Sequence, residues 1–392
     1  MPMTRTSATF FPPVMEARRW LDGVTHPDDR PLINVSQAAP VDPPVKELRQ
    51  AMADAALNDD SAHLYGPVLG NMALRKALAR KTNTHYNNTS IKAKNVAITS
   101  GCNQAFAAAI ASLCTEGDEV ILPTPWYFNH KMWLDMSGVT SIPLPAGPDL
   151  LPSVADAAKL ITPRTRAIAL VSPNNPSGVE YPADLLNSFF DLAQNHGIAL
   201  IVDETYRDYH SQVGTPHDLF DRPLADETFI HLYSFSKAFR LTGHRVGALI
   251  ASTTRLAEVE KFLDTVAICP GQIGQAAALW GLDNLDNWLA EERREITRRC
   301  DAIKSGFPAL AAQGWELKSA GAYFAYMKHP FDISSAELAP RLVKDASILC
   351  LPGTMFHPDG DPIGAAHLRI AFANLDAEGI ATLYHRLATL NI

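Results

Sequence analysis

Two stretches of the chain, IALIVDETY (residues 198–206) and FIHLYSFSK (residues 229–237), decide the fold. Each begins with a largely apolar run of strand length and ends in polar residues. A run without alternation between apolar and polar residues is typical of a strand buried on both faces, as in a parallel sheet covered by helices. The two stretches therefore predict strands of an α/β sheet, with polar side chains where the strands end.

The same pattern continues on both sides of these stretches. Besides Ile198–Val202 and Phe229–Tyr233, the strand candidates are Val96–Thr99, Glu119–Leu122, Ala167–Val171 and Val246–Ala251. Helical spacing of apolar residues is found at Val45–Leu57, Asn103–Cys114, Ala183–Asn195 and Arg255–Val266. Strands that alternate with helices predict an α/β fold with a mostly parallel sheet.

The last hundred residues have a different pattern. A charge-rich helix around Glu291–Lys304 leads into two shorter strand signals, Ala322–Met327 and His367–Ala373. We therefore predict three parts: residues 1–45 as an N-terminal segment that packs with the small domain, 46–290 as a large domain that contains the sheet and 291–392 as a small α+β domain.

Composition excludes several classes of protein. The chain has 392 residues, of which 47% are hydrophobic and 19% charged. Its net charge of −8 is opposite in sign to the charge that binding to nucleic acid or anionic lipid requires. Its five cysteines form no CxxC pair, which is typical of reduced thiols, and no metal site is predicted. Met1–Trp20 contains no continuous apolar region of the secretory type, and the longest apolar run, near Gln104–Cys114, is too short to span a bilayer. We expect a cytoplasmic protein without nucleic-acid or membrane partners.

Four polar clusters follow predicted strands directly. They are Ser172–Gly178 (SPNNPSG), Asp203–Tyr206, Ser234–Lys237 and Ser100–Asn103, the last of which opens a helix. Each has a purely structural interpretation, since Asn-Pro-Ser-Gly forms turns and a serine before a helix is a common cap. Ligands of open parallel sheets, however, bind where strands end. Four such clusters together favour a binding site.

The residue types in these clusters suit one cofactor, pyridoxal 5'-phosphate. Its pyridine nitrogen needs a carboxylate nearby, and its aldehyde needs a lysine amine. Asparagine and tyrosine can donate hydrogen bonds to its phenolic oxygen. Its phosphate needs helix-start amides, hydroxyls and an arginine.

At these residues the chain resembles the aspartate aminotransferase family, the class I/II aminotransferases of fold type I, from about Pro31 to Ala373. The matching motifs are Asn175-Pro176-Ser177-Gly178, Asp203-x-x-Tyr206 and Ser234-x-Ser236-Lys237 followed by Arg245-x-Gly247. The resemblance implies a large domain with a mostly parallel seven-stranded sheet flanked by helices, plus a smaller α+β domain. It also implies a homodimer with composite active sites.

The resemblance further implies a role for each matched residue. Lys237 holds the cofactor as a Schiff base and moves the substrate proton, Asp203 pairs with the pyridine nitrogen, and Tyr206 and Asn175 contact the phenolic oxygen. The phosphate is held by Ser234, Ser236, Arg245, Gly101, Cys102 and Asn103, and by Tyr65 of the neighbouring subunit. Tyr127, or its neighbour Trp126, stacks on the ring. Arg369 binds the substrate α-carboxylate through two parallel hydrogen bonds, and Asn175 contacts the substrate beside it.

Two departures from the family pattern bear on the substrate. Ala38 replaces a glycine whose backbone contacts substrate, and Asn103 stands where some acidic-specific relatives have lysine. Aspartate would need a second cation, because an unpaired buried charge is very unfavourable. The sequence assigns none within the chain, which leaves a neighbouring subunit as the alternative source. Aromatic and apolar residues crowd the segments expected around the substrate: Phe10, Phe11, Val14, Trp20, Trp126, Tyr127 and Phe128. An equally good interpretation of the N-terminal aromatic residues is purely structural, in which they pack a loop against the core. We expect a neutral donor, aromatic or long aliphatic, and 2-oxoglutarate or pyruvate as acceptor.

Other functions fit parts of the same pattern. A cysteine-conjugate β-lyase would use the same cofactor and the same lysine. Ser234-x-x-Lys237 also matches the SxxK motif of penicillin-binding proteins and β-lactamases. The look-alikes of that class's partner motifs, however, lie upstream at Tyr86–Asn88 and Lys81–Asn83, whereas the class requires them downstream. A nicotinamide dehydrogenase would need GxGxxG after its first strand, and the sequence contains none.

Overall fold

The structure is a computed structural model that describes residues 4–223 and 225–390. Its strands are β1 Ile33–Asn34, β2 Val96–Thr99, β3 Glu119–Thr124, β4 Thr140–Pro145, β5 Thr165–Val171, β6 Ala199–Asp203, β7 Phe229–Ser234, β8 Gly247–Ile250, β9 Glu316–Gly321, β10 Phe324–Lys328, β11 Ile348–Leu349, β12 Leu351–Pro352 and β13 His367–Ile370. Its α-helices are α1 Pro13–Arg19, α2 Lys46–Asn58, α3 Met72–His85, α4 Cys102–Leu113, α5 Phe128–Ser137, α6 Val154–Leu160, α7 Ala183–His196, α8 Ala225–Thr228, α9 Phe235–Ala238, α10 Thr253–Ala267, α11 Gln272–Asn284, α12 Asp286–Ala311, α13 Ser335–Ala346, α14 Pro362–Ala366 and α15 Ala377–Ala388.

The central sheet has seven strands in the order β2-β8-β7-β6-β5-β3-β4. β8 is antiparallel to both of its neighbours, and every other pair is parallel. The predicted α/β fold with a mostly parallel seven-stranded sheet is therefore confirmed. The sequence missed β4, which lies at the edge of the sheet and contains Pro143 and Pro145. Proline removes a backbone donor and is tolerated at an edge, but it also hides the strand from a pattern search.

Helices cover both faces of the central sheet. Along β6, Ala199 and Ile201 pack in the core under α4 and α10, whereas Leu200 and Val202 pack against α7 on the other face. Successive side chains of a strand point to opposite faces. The alternation places the next residue of this series, Asp203, on the same side as Ala199 and Ile201, that of α4.

A smaller unit contains the antiparallel sheet β12-β13-β10-β9 and the two-stranded pair β1-β11. The N-terminal segment belongs to its core, because β1 runs parallel to β11 and Ile33 and Val35 are buried there. The helix α12 runs unbroken through the predicted boundary at 290/291. The boundaries remain predictions, and residues 1–3, 224 and 391–392 of the predicted parts lie outside the described residues.

Within residues 4–223 and 225–390, no helix is both long enough and apolar enough to cross a bilayer.

Candidate active site

The four polar clusters lie at one edge of the central sheet. Because β8 is antiparallel to β2 and to β7, the strands β2, β7, β6 and β5 all run the same way, and their carboxyl ends meet. A cavity of about 580 Å³ lies there. The predicted site residues that line it are Ala38, Cys102, Asn103, Tyr127, Asn175, Asp203, Tyr206, Ser234, Ser236, Lys237, Arg245 and Arg369.

Three of the predicted residues do not line this cavity. Gly101 lies directly behind its wall, where a Cβ atom would come within 2.3 Å of Nη2 of Arg245. Trp126 is buried in the large domain and borders a different cavity of about 1020 Å³, so Tyr127 is the aromatic that faces the candidate site. Tyr65 is 81% exposed at the surface.

Lys237 follows β7 on the short helix α9 and projects into the cavity. Its Nζ donates a hydrogen bond to the carbonyl oxygen of Ala38. Desolvation lowers the pKa of Lys237 to about 7, and the charges of Arg245 and Arg369 act in the same direction. A large fraction of this amine is therefore neutral, and hence nucleophilic, near neutral pH.

Asp203 is a buried carboxylate at the end of β6. Thr205 donates to its Oδ1 through both its backbone N–H (3.0 Å) and its hydroxyl (2.7 Å). Nε2 of His130 lies 3.2 Å from Oδ2, although its angle falls short of a well-aligned hydrogen bond. Burial by itself would raise the pKa of Asp203, but His130 and Thr205 outweigh it, and the pKa is lowered. The cavity thus contains one carboxylate that stays ionised.

Arg369 presents a buried guanidinium from β13. The group lies between the rings of Phe324 and Phe356, 5.2 Å and 5.0 Å from their centroids. Nη1 donates to Oδ1 of Asn175 at 3.1 Å, and Nη2 donates to the carbonyl oxygen of Ser36. Burial lowers the pKa of Arg369 to about 10, so it remains charged at neutral pH. These contacts fix a planar cation at the wall of the cavity.

Arg245 lies at the opposite end, beside the start of α4. Its backbone adopts the left-handed conformation, with φ 52° and ψ 61°, which is uncommon for a residue with a side chain. Nη1 donates to the carbonyl oxygen of Thr242 (2.9 Å) and to the hydroxyl of Ser236 (3.4 Å). The first amides of an α-helix have no acceptor within the helix. The backbone amides of Cys102 and Asn103, together with the guanidinium of Arg245, therefore suit the binding of an anion.

Two tyrosines face the cavity between these ends. The Tyr127 hydroxyl donates to Oδ1 of Asn103 at 3.2 Å and accepts from Nδ2 of Asn129 at 3.1 Å. Desolvation raises the pKa of both Tyr127 and Tyr206. Both hydroxyls therefore stay protonated and can donate hydrogen bonds.

Several residues of the site were not predicted. His130 comes from α5, and its ring stacks on Phe106 with centroids 3.8 Å apart, which holds it beside Asp203. Arg18 of α1 also lines the cavity, and its Nη2 donates to Oε1 of Gln37 at 3.0 Å. Thr205 lies two residues after Asp203, in the same polar cluster, and could have been inferred from that position. His130 and Arg18 carry no local signal.

Comparisons with known proteins agree with this geometry. The family model for "Aminotransferase class I and II" matches residues 30–387. An aromatic aminotransferase of Arabidopsis thaliana is 28% identical over 385 residues, which cover 95% of this chain and 91% of that protein. A probable aspartate/prephenate aminotransferase of Thermus aquaticus is 28% identical over 320 residues, 79% of each protein.

Solved structures share the fold. An aspartate aminotransferase from Thermus thermophilus with maleate superposes with a TM-score of 0.85 at 24% identity, covering 98% of both chains. An Escherichia coli protein described with a methionine aminotransferase function superposes with a TM-score of 0.88 at 22% identity, covering 100% of both.

The family match confirms the resemblance found in the sequence, and neither the β-lyase nor the serine hydrolase is favoured by it. The chain therefore belongs to the class I and II aminotransferases, which use pyridoxal 5'-phosphate to transfer amino groups between amino acids and 2-oxo acids.

Proposed function

We propose that this aminotransferase takes a neutral L-amino acid, aromatic or long aliphatic, as its donor and transfers the amino group to a 2-oxo acid by a ping-pong mechanism. The observation that carries the proposal is the apolar part of the cavity wall, to which Val14, Met15, Tyr127 and Phe128 contribute. Asn103 also lines the cavity and provides a neutral amide there, not a cation. Of the other aromatics named from the sequence, Phe10, Phe11, Trp20 and Trp126 border the larger cavity.

The residues of the site fit the cofactor. Asp203 provides an ionised, buried carboxylate for the pyridine nitrogen, and Lys237 provides an amine that is largely neutral near pH 7. A glycine is needed at 247, because a Cβ atom there would lie 2.6 Å from the amide nitrogen of Cys102. A side chain at 247 would therefore crowd the start of α4, where we place the phosphate, with Arg245, Ser234 and Ser236 beside it.

Bound pyridoxal phosphate supplies an aldehyde that exchanges amino groups and a ring that takes up the electron pair left on the substrate Cα. We assign the proton transfer to Nζ of Lys237: as a neutral amine it would accept the proton from the substrate Cα and would then donate it again to complete the amino-group exchange. Asp203 would keep the ring nitrogen protonated, since the pKa of its own carboxyl group is lowered. Tyr206 and Nδ2 of Asn175 would donate hydrogen bonds to the phenolic oxygen of the cofactor, and Tyr127 would pack against its ring.

We assign the substrate α-carboxylate to Arg369. Its guanidinium is fixed by Asn175, Ser36 and two aromatic rings before any substrate arrives, so little entropy is lost when a carboxylate binds. Every α-amino acid and every 2-oxo acid carries that carboxylate. The same residue therefore serves both halves of the reaction.

A panel of donors tests the proposal. The purified holoenzyme should be yellow, an amino acid should bleach the colour, and a 2-oxo acid should restore it. Phenylalanine, methionine and kynurenine-like donors should give a higher kcat/KM than aspartate. Aspartate ranking first by about tenfold, or about 1.4 kcal/mol, would contradict the neutral-donor proposal. Release of ammonia and pyruvate from a cysteine conjugate, without a 2-oxo acid acceptor, would instead indicate β-elimination.

We also propose a homodimer with composite active sites. Leu57, Leu64, Tyr65, Met72, Val266 and Ile268 are exposed apolar or aromatic residues. The amide of Gly66 donates to Sγ of Cys269 at 3.4 Å, so the segments that carry Tyr65 and Ile268 adjoin. An apolar patch of this kind is typical of a protein interface.

The patch lies beside the open end of the cavity. Gly66 packs against Gln272 and His244 packs against Gly274, both in the first turn of α11. Arg245, which follows His244, is exposed, as is Asn103. A second copy seated on the patch would cover this end, and we assign Tyr65 to the phosphate of that second copy.

We propose the cytoplasm as its compartment. The five cysteines are all unpaired, and Cys102, Cys300 and Cys350 are buried. Free thiols persist in a reducing compartment. Cell fractionation would test this, and recovery of the protein from a secreted or membrane fraction would contradict it.

A further inference from the structure

We infer that Arg18 binds the distal carboxylate of a dicarboxylic 2-oxo acid, so that the acceptor is of the 2-oxoglutarate type and not pyruvate. The inference rests on the transamination proposed above and specifies its second substrate. Arg18 is a cation to which the reaction proposed above assigns no other role.

The charges that line the cavity do not balance. Four basic side chains line it, Arg18, Lys237, Arg245 and Arg369, and of these Lys237 is assigned to the covalent bond with the cofactor. Among the described residues Asp203 is the one carboxylate that lines it, and His130 already lies beside that carboxylate. The cofactor phosphate requires Arg245 and the substrate α-carboxylate requires Arg369. Arg18 remains, and a second carboxylate on the substrate would match it.

The contacts of Arg18 leave its charge available. Its Nη2 donates to Oε1 of Gln37, a neutral acceptor, and no carboxylate of residues 4–223 or 225–390 lies within salt-bridge distance. Its neighbour Arg19 does not line the cavity and lies over the ring of Phe11, 4.9 Å from the centroid. A guanidinium bound only to a neutral amide gains more from a carboxylate, because charge-assisted hydrogen bonds are the stronger ones.

An exposed arginine also allows neutral donors to use the same cavity. Arg18 is exposed, whereas Val14 and Met15 of the same helix α1 present apolar surface to the cavity. When the substrate side chain is neutral, the guanidinium keeps its contact with water, so no unpaired charge is buried. When the substrate carries a distal carboxylate, Arg18 can pair with it. Glutamate, formed from such an acceptor, is then a donor in the reverse direction.

Binding of two unreactive acids of equal chain length to the holoenzyme tests the inference. Glutarate has two carboxylates and pentanoate has one, and either can occupy Arg369. We expect glutarate to bind wild type about tenfold more tightly than pentanoate, by isothermal titration calorimetry at low salt. In Arg18→Gln the preference should fall to about threefold or less, with pentanoate affinity unchanged. Arg19→Gln, the matched control, should keep the preference.

The second half of the reaction provides an independent measurement. The amino form of the enzyme is mixed with 2-oxoglutarate or with 2-oxopentanoate, which lacks the distal carboxylate, and the return of the yellow form is followed. Arg18→Gln should slow the reaction of 2-oxoglutarate alone, by about tenfold in kcat/KM. The wild-type preference should also decrease as ionic strength rises, since an exposed ion pair is screened.

The outcomes separate the two proposals. Wild type that binds glutarate no better than pentanoate, or an Arg18→Gln variant that weakens both acids equally, would overturn the role of Arg18. If instead no pair of acids exchanged amino groups while the glutarate preference still depended on Arg18, transamination would fail and the anion site would stand.

Discussion

Lys237 differs from a surface lysine in the protonation state of its amine. Because its pKa is lowered to about 7, the neutral fraction grows as pH rises through 7 and changes little above that. An ordinary lysine, with a pKa near 10.5, would keep gaining neutral amine over three further pH units. We therefore expect the rate at which apoenzyme becomes yellow with pyridoxal phosphate to level off above about pH 8. A stopped-flow pH series measures this, and a rate that still climbs steeply beyond pH 9 would contradict it.

Removing the amine separates cofactor binding from chemistry. Lys237→Ala leaves Arg245, Ser234, Ser236 and the start of α4 in place, so the variant should still bind pyridoxal phosphate but lose the covalent bond and nearly all turnover. Absorbance spectra and activity of the purified variant measure both effects. Lys261→Ala, which changes an exposed lysine paired with Glu258, is the control and should behave as wild type. Normal turnover by Lys237→Ala would remove its assigned role.

Arg369 illustrates why charge alone is insufficient for recognition. Arg369→Lys keeps the positive charge but loses the bidentate geometry of the guanidinium. It also loses the hydrogen bonds to Asn175 and Ser36. We expect a higher KM for every donor and slower turnover, with a total loss of about 2–5 kcal/mol in kcat/KM. Steady-state kinetics over several donors measure it. If the loss were confined to one class of donor, Arg369 would instead contact the substrate side chain.

At the scale of elements, the junction between β2 and α4 determines the geometry of the proposed phosphate site. Gly101, the N-cap of α4, has φ 86° and ψ 167°, a conformation that residues with side chains rarely adopt. A Cβ atom there would also displace Arg245. Gly101→Ala should therefore weaken pyridoxal phosphate binding, measured by absorbance titration, by about 1–3 kcal/mol.

Gly117 provides the matched control for this change. It has a similar φ of +85°, but a Cβ atom there would meet nothing within 4 Å. Gly117→Ala should lower the thermal unfolding midpoint through backbone strain while cofactor affinity stays at the wild-type value. Equal losses of cofactor affinity in both variants would show that the effect of Gly101→Ala is general destabilisation.

At the scale of the whole molecule, the prediction concerns assembly. If Tyr65 serves the phosphate of the other subunit, a Tyr65→Phe chain and a Lys237→Ala chain in a mixed dimer both damage the same site. One of its two sites then carries both changes and the other carries neither. Mixing two variants of low activity, with subunit exchange, should restore some activity, provided that Tyr65→Phe alone is strongly impaired. A fully active monomer by light scattering would contradict the composite site.

The sequence alone was sufficient for the elements that depend on local patterns. The apolar runs of β2, β3, β5, β6, β7 and β8 are nearly continuous, because each strand is buried on both faces, and this predicted the sheet. Asp203 ends β6, and Lys237 and Asn175 lie in the short segments that follow β7 and β5, where a parallel sheet binds its ligands. The strand ends could be located without knowing the path of the rest of the chain.

Other features were decided by the tertiary structure. Trp126 and Tyr127 are adjacent and equally aromatic in the sequence, yet only Tyr127 faces the site, since the direction of a side chain depends on how the backbone enters α5. His130 reaches Asp203, and Arg18 reaches the cavity, only after distant segments pack together. Contacts between residues far apart in the chain leave no periodic trace in the sequence. The sequence therefore determined the sheet and the chemistry at its edge, and the tertiary structure decided which side chains surround that chemistry.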